Sequence, residues 1–258
     1  MSVNILAVGD VVGDAGLDIL TDKLRGLQKL KAISFTVVNG ENAAGLGLTP
    51  DQADAIFSAG ADVITLGNHT FDRREIIPYL DDSRYILRPA NLAPQNPGRG
   101  WGVFDSPFGE VCVISLIGRY NMNVGPDNPF FEADRILAKN TVRTVLVDFH
   151  AQATSEKLAM AYYLDGRVSA LWGTHTHVQT SDARVFKKGT GVISDLGMTG
   201  PVESVIGIMP EQSINMFVNN PSKRFAMPGR PAKIECAVFE IDPGSGQCLS
   251  VEALRITE

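Results

Sequence analysis

The apolar residues of this chain change period as the sequence runs. In the first half, short runs rich in β-branched residues (3–8, 35–38 and 63–66) alternate with stretches where apolar positions recur every three or four residues. A spacing near 3.6 lines one face of a helix, whereas a short unbroken apolar run bounded by turn residues suits a buried strand. Leu17, Leu20, Leu24 and Leu27 form one such helical stripe. Thr49-Pro50-Asp51 then offers an N-cap followed by proline at the first helical position, and Gly60 supplies the stop. The alternation predicts βαβ units around a mostly parallel sheet.

Residues 111–116, 144–149 and 168–172 read as further buried strands, with helices over 132–139 and 155–164 between them. From Asp182 onward the pattern shifts to short strands punctuated by glycine and proline. Residues 233–241 and 249–256, joined by Asp242-Pro243-Gly244, predict an antiparallel hairpin. Residues 195–231, rich in Gly, Pro, Asn and Met, show no sustained period and read as a long functional or disordered loop. No repeat or linker divides the chain. At 258 residues and 44% hydrophobic, 1–258 is expected to be one domain.

Composition narrows the partners. Cys112, Cys236 and Cys248 are odd in number and widely spaced, which predicts buried thiols in a reducing cytoplasm. No signal peptide or membrane span is expected from the sequence. The net charge of -6, without a Lys/Arg stripe, argues against a long nucleic-acid groove and for a small charged substrate.

Polar clusters follow directly after the apolar runs: Gly9-Asp10, Asn39-Gly40-Glu41-Asn42, Gly67-Asn68-His69, His150 and Gly173-Thr174-His175-Thr176-His177. In open α/β sheets the ligand crevice lies at those strand ends, so five segments can converge on one site. All four histidines of the chain occupy such positions. In an extended segment His175 and His177, two apart, would point the same way. With Asp10, Glu41, Asn68 and His150 they make a mixed oxygen and nitrogen set suited to iron, manganese or zinc.

Two divalent cations against two carboxylates leave positive charge for a phosphate, and two metals ~3.5–4 Å apart can hold nucleophile and phosphoryl oxygens for in-line displacement. Glu41 is the candidate bridge, since its carboxylate has one oxygen for each ion. His69 should diverge from Asn68 and stand beside the metals, placed to protonate a leaving alkoxide.

Together these motifs resemble the calcineurin-like metallophosphoesterases. Gly9-Asp10-Val11-Val12-Gly13, Asn39-Gly40-Glu41-Asn42-Ala43 and Asp148-Phe149-His150-Ala151 are similar to the YmdB-type branch of bacterial phosphodiesterases. The resemblance implies a four-layer α/β/β/α sandwich with mixed sheets and a two-metal centre, often iron. It also implies hydrolysis of cyclic nucleotides, the 2′,3′- and 3′,5′-cyclic forms included, by a metal-bound hydroxide. Carried over, one metal takes Asp10, Glu41, Asn42 and His177, the other Glu41, Asn68, His150 and His175, with His69 as proton donor. Departures from the wider superfamily are Val12 in place of a histidine, Glu41 in place of the bridging aspartate, and Thr70 where an acidic residue is common. Asp72 is then the nearest orienting partner for His69.

Other readings stand beside this one. Residues 9–16 could form a degenerate dinucleotide-binding turn, making the chain a nucleotide-binding or regulatory protein without hydrolysis, although such a glycine pattern is weak. Asp10, Glu41, Asn42 and Asn68 taken singly could be caps or turn formers, and Gly13, Gly45 and Gly47 serve turns. Met198, Met209, Met216 and Met227 could form a lid or pack at a surface, self-association included. Lys223 and Arg224 are candidate phosphate contacts.

Overall fold

The protein is described here by a computed structural model, covering residues 1–218 and 225–258. In chain order its elements begin with β1 (Val3–Val8), β2 (Asp10–Val11), α1 (Gly13–Leu30), β3 (Ile33–Asn39), α2 (Pro50–Ala59), β4 (Val63–Thr65) and α3 (Ile76–Asp82). Next come β5 (Ile86–Leu87), β6 (Trp101–Ser106), β7 (Gly109–Ile117), α4 (Pro129–Leu137), β8 (Thr144–His150), α5 (Thr154–Leu164) and β9 (Ala170–Thr174). The remainder is β10 (Arg184–Val185), β11 (Gly191–Ile193), β12 (Met198–Pro201), α6 (Pro210–Val218), β13 (Ala232–Asp242) and β14 (Gln247–Thr257).

Local chemistry sets several boundaries. At α2 the Thr49 hydroxyl accepts from the Gln52 N–H, the Gln52 side chain accepts from the Thr49 N–H, and Pro50 occupies the first turn. This reciprocal cap satisfies two donors that a helix start leaves unpaired. Helix α4 begins at Pro129, three residues before its apolar period predicts, because the Asn128 side chain caps the Phe130 N–H at 2.9 Å.

The strands form two sheets, ordered β2-β12-β13-β1-β3-β4-β5 with β14 beside β13, and β10-β11-β9-β8-β7-β6. Parallel pairing runs through β1-β3-β4-β5 and through β11-β9-β8-β7, as the βαβ pattern predicts. Antiparallel β13 and β6 make both sheets mixed. Three apolar clusters define four layers. One joins α1, α2 and α3 to the first sheet, a second fills the space between the sheets, and a third joins α4 and α5 to the second sheet. The fold is therefore an α/β/β/α sandwich.

Residues 195–231 depart from the expected loop. They contain β12, paired with β2 and β13, and helix α6. A four-residue strand holding Gly200 and Pro201 shows no period of its own, and its neighbours supply the stabilisation. Lys223 and Arg224 lie outside the described residues. All three cysteines are free and buried, and no described helix is long and apolar enough to cross a membrane.

Between the sheets, Trp172 from β9 and Phe239 from β13 pack with ring centroids 5.7 Å apart. Replacing Phe239 with Ala should lower stability by about 3–5 kcal/mol, the usual cost of an emptied aromatic core site. Urea unfolding followed by fluorescence measures this, and a loss under 1 kcal/mol would mean that the two sheets do not share this core.

Candidate metal centre

The C-terminal ends of β1, β3, β4, β8 and β9 meet at one rim, and the polar clusters after them face one another. His150 Nε2 has Asn68 Oδ1 at 2.9 Å, Glu41 Oε1 at 3.0 Å and His175 Nδ1 at 3.0 Å. A single ring nitrogen cannot satisfy three such neighbours with one proton. Ligand atoms of Glu41, His150 and His175 all lie within 4.8 Å of one another. Gly67 keeps the space open, since a Cβ there would sit 2.3 Å from Glu41 Oε2 and 2.4 Å from His150 Nε2.

Hydrogen bonding on the far side of each ring decides its tautomer. Nδ1 of His150 lies 2.9 Å from Thr174 Oγ1, whose own hydroxyl donates to Asp148 at 2.7 Å. The threonine oxygen is thus left to accept from the His150 Nδ1–H. His175 Nε2 lies 3.0 Å from Gln152 Oε1, and His177 Nδ1 lies 2.9 Å from the Ile206 carbonyl. Each outer nitrogen donates a proton, so His175 Nδ1 and His177 Nε2 turn their lone pairs inward, and His150 Nε2 faces the same way with a lone pair that is freed once its own proton leaves. Such an arrangement is what outer hydrogen bonds impose on metal-binding histidines.

Two fully buried carboxylates complete the cluster. Asp10 accepts from the His175 backbone N–H through Oδ2 at 3.1 Å, while its Oδ1 has no hydrogen-bond partner among the described residues. Burial pushes the Asp10 carboxyl up, only partly countered by His177 and His150. For Glu41 burial is outweighed by His150 and His69, and its carboxyl is held below the usual range. Burial alone would push His150 down, but the adjoining Glu41 and Asp10 carboxylates raise it. His175 is pushed down to about 3 by burial and by His150, so it is neutral at pH 7. An orphaned buried carboxylate oxygen beside inward-facing lone pairs fits a cation, and the mixed N/O donors suit a first-row divalent ion.

The remaining predicted residues gather at the same place. Asn42 Nδ2 stands 3.1 Å from Glu41 Oε1 and 3.2 Å from His177 Nε2, and exchange of its amide O and N would turn the oxygen the same way. The His69 side chain diverges from Asn68 as expected, with Nδ1 2.7 Å from Asp72 Oδ2. Thr70 instead closes the turn by donating to the Gly67 carbonyl at 2.6 Å. His175 and His177 do not lie in an extended segment: their φ values are 98° and 63°, and a tight bend brings both rings inward. The methionines do not form a common lid, because Met198 is buried in β12 and Met216 projects from α6, while Met227 lines the cleft. As a dinucleotide turn, residues 9–16 fail, since Asp10 is buried against the histidines where a pyrophosphate would have to lie.

A family model described as YmdB-like protein matches residues 6–254. The chain belongs to the YmdB-like family. A Bacillus subtilis (strain 168) relative, named 2′,3′-cyclic-nucleotide 2′-phosphodiesterase, is 41% identical, with 99% of this chain and 98% of that protein covered. The crystal structure of a novel phosphatase from Mycoplasma pneumoniae superposes with a TM-score of 0.94 at 34% identity, covering 100% of this chain and 94% of that one. A hypothetical protein from Thermus thermophilus gives 0.93 at 34% identity, covering 99% of both chains.

Around this YmdB-like site the structure adds residues that sequence reasoning did not assign. Asp148 is fully buried and accepts from Thr65, Thr174 and Asn39. Its signal was a carboxylate inside an otherwise apolar strand. Lys157 and Asp195, both buried, form an ion pair at 2.5 Å. Asp195 also accepts from the Thr176 N–H and hydroxyl, which fastens the bend between His175 and His177.

Because the Glu41 and Asp10 carboxylates keep His150 protonated through neutral pH, a cation can take its Nε2 lone pair only by displacing that proton. Addition of Mn²⁺ to metal-free protein at pH 7 should release about one proton per site, and affinity should climb as pH rises. Calorimetry in two buffers of different ionisation enthalpy reads this directly. Uptake without proton release would contradict the protonated ring.

Proposed function

We propose that this YmdB-like chain is a metal-dependent phosphodiesterase acting on 2′,3′-cyclic nucleotides. It is a hydrolase, and the finer assignment rests on the inward-facing histidine lone pairs beside two buried carboxylates. The name of the Bacillus subtilis relative supports the substrate class. Two divalent ions, iron or manganese with zinc as an alternative, would be held by Asp10, Glu41, Asn42 and His177 and by Glu41, Asn68, His150 and His175. The chemistry such ions supply when bound is polarisation of the phosphate and acidification of water.

The chain's own groups account for the rest. Glu41 Oε1 lies beside both Asn42 and His150, one from each proposed ligand set, while Oε2 accepts from the His69 backbone N–H, so Oε1 is the oxygen placed between the two sets. In the hydrolysis a water oxygen bonds to phosphorus, the P–O2′ bond breaks, and the leaving oxygen takes a proton. His69 is the group assigned to that proton. Asp72 engages its Nδ1, leaving Nε2 as the free ring nitrogen in a cleft of about 880 Å³.

Hydrolysis of 2′,3′-cyclic AMP should require Mn²⁺ or Fe²⁺ and cease with a chelator. In His69→Ala, turnover should fall roughly 10²–10⁴-fold, the range for a lost general acid, while metal content stays unchanged. Elemental analysis beside the rate separates the outcomes: parallel loss of metal would make His69 a ligand, and chelator-resistant hydrolysis would overturn the metal-dependent reading.

A further inference from the structure

One residue at the mouth of the cleft occupies a backbone conformation that its type disfavours. Ile206 has φ 48° and Gly207 has φ 101°, while Val205 and Ile208 exchange two backbone hydrogen bonds at 2.9 and 3.1 Å. Ile206-Gly207 is therefore a two-residue hairpin turn with positive φ at both central positions. Asn, Asp and Gly suit the first of these positions, and a β-branched residue there is an outlier. The Ile206 carbonyl receives the His177 Nδ1 proton, but any residue has a carbonyl, so that bond does not explain isoleucine. Core packing does not explain it either, because the residue is 49% exposed. What remains is the side chain itself, half exposed on a residue that lines the cleft.

Its surroundings share this character. Leu46, Phe225 and Met227 line the same cleft and are 54%, 45% and 37% exposed. Arg73 donates to the carbonyls of Ala44 and Leu46 at 2.7 and 3.1 Å, fixing the loop that carries Leu46. Met227 is seated against Gly13 and Gly45, where a Cβ would approach its side chain to 2.7 and 2.5 Å. The cleft thus has a polar side with Glu41, His69, His175 and His177 and an apolar side built on these residues. A phosphate satisfies only the first.

We propose that the apolar side is a nucleobase subsite in which Ile206 is a specificity-determining contact; this rests on the phosphodiesterase reading. A base offers a flat apolar face joined through ribose to the reacting phosphate, and stacking or apolar contact needs no particular base edge. Two further polar side chains of the cleft are already engaged, Arg73 with two carbonyls and Gln152 with His175. The subsite should therefore recognise the presence of a base more than its identity.

The test uses the Mn²⁺-loaded enzyme with 2′,3′-cyclic AMP and with methyl ribofuranoside 2′,3′-cyclic phosphate, which keeps the reacting ring and lacks the base. Wild type should favour the nucleotide in kcat/KM on the order of 10–100-fold. Ile206→Asn should reduce that ratio roughly tenfold, mainly through KM, as expected for loss of an apolar base contact. Its Tm should rise, since asparagine suits the turn. The 2′,3′-cyclic forms of the four common nucleosides should agree within a few-fold. An unchanged ratio in Ile206→Asn, or a wild-type ratio near unity with both compounds hydrolysed, would overturn the subsite while leaving the phosphodiesterase intact. Hydrolysis of neither compound would overturn the activity and the subsite with it.

Discussion

A single buried carboxylate connects the fold to the site. The space between the two sheets is apolar almost throughout, which is what allows them to stack, but at the rim it contains Asp148. This residue stands on β8 of the second sheet, and it accepts from Thr65 and Asn39 of the first sheet and from Thr174 beside it. A charge so deeply buried is tolerable only when fully hydrogen-bonded. Satisfying it fixes the spacing of the sheets at the point where the strand ends must meet. It also consumes the Thr174 proton, which leaves that oxygen to receive His150 Nδ1–H and turns Nε2 inward. The sandwich and the orientation of the His150 ring therefore answer to the same group.

Much of this was legible in the sequence, for definite reasons. Apolar runs and helical stripes report burial, and burial dominates in β1, β3, β8 and α1. Glycine, asparagine and histidine directly after such runs report strand ends, so Asp10, Glu41, Asn68, His69, His150, His175 and His177 could be gathered without coordinates. What escaped depended on neighbours distant in sequence. β12 is four residues long and owes its conformation to β2 and β13. The way His175 and His177 both turn inward depends on left-handed backbone angles, which the Lys157–Asp195 pair helps to hold. Nothing local announces either. Asp72 could only be named as a nearby candidate, because three intervening positions do not dictate that its carboxylate returns to His69.

The supporting framework includes buried charge: Lys157 paired with Asp195, Asp148, and Glu235, whose partners Lys233 and Arg255 reach towards solvent. A buried ion pair contributes little net stability compared with an apolar replacement, while removal of one partner is costly. Here such groups act mainly by direction: Asp195 holds the Thr176 N–H, and Glu235 receives the Met198 N–H at 3.1 Å while its carbonyl receives that of Gly9 at 3.0 Å. The second of these steadies the turn from which Asp10 projects.

The place of β13 has a further consequence. It lies between β1 and β12, yet it starts at residue 232. As a ribosome emits the polypeptide, the opening strand emerges long before the companion that flanks it, and the Asp10 turn lacks its brace until then. Catalytic competence would accordingly arise late and abruptly, and fragments released by premature termination would lack the finished site.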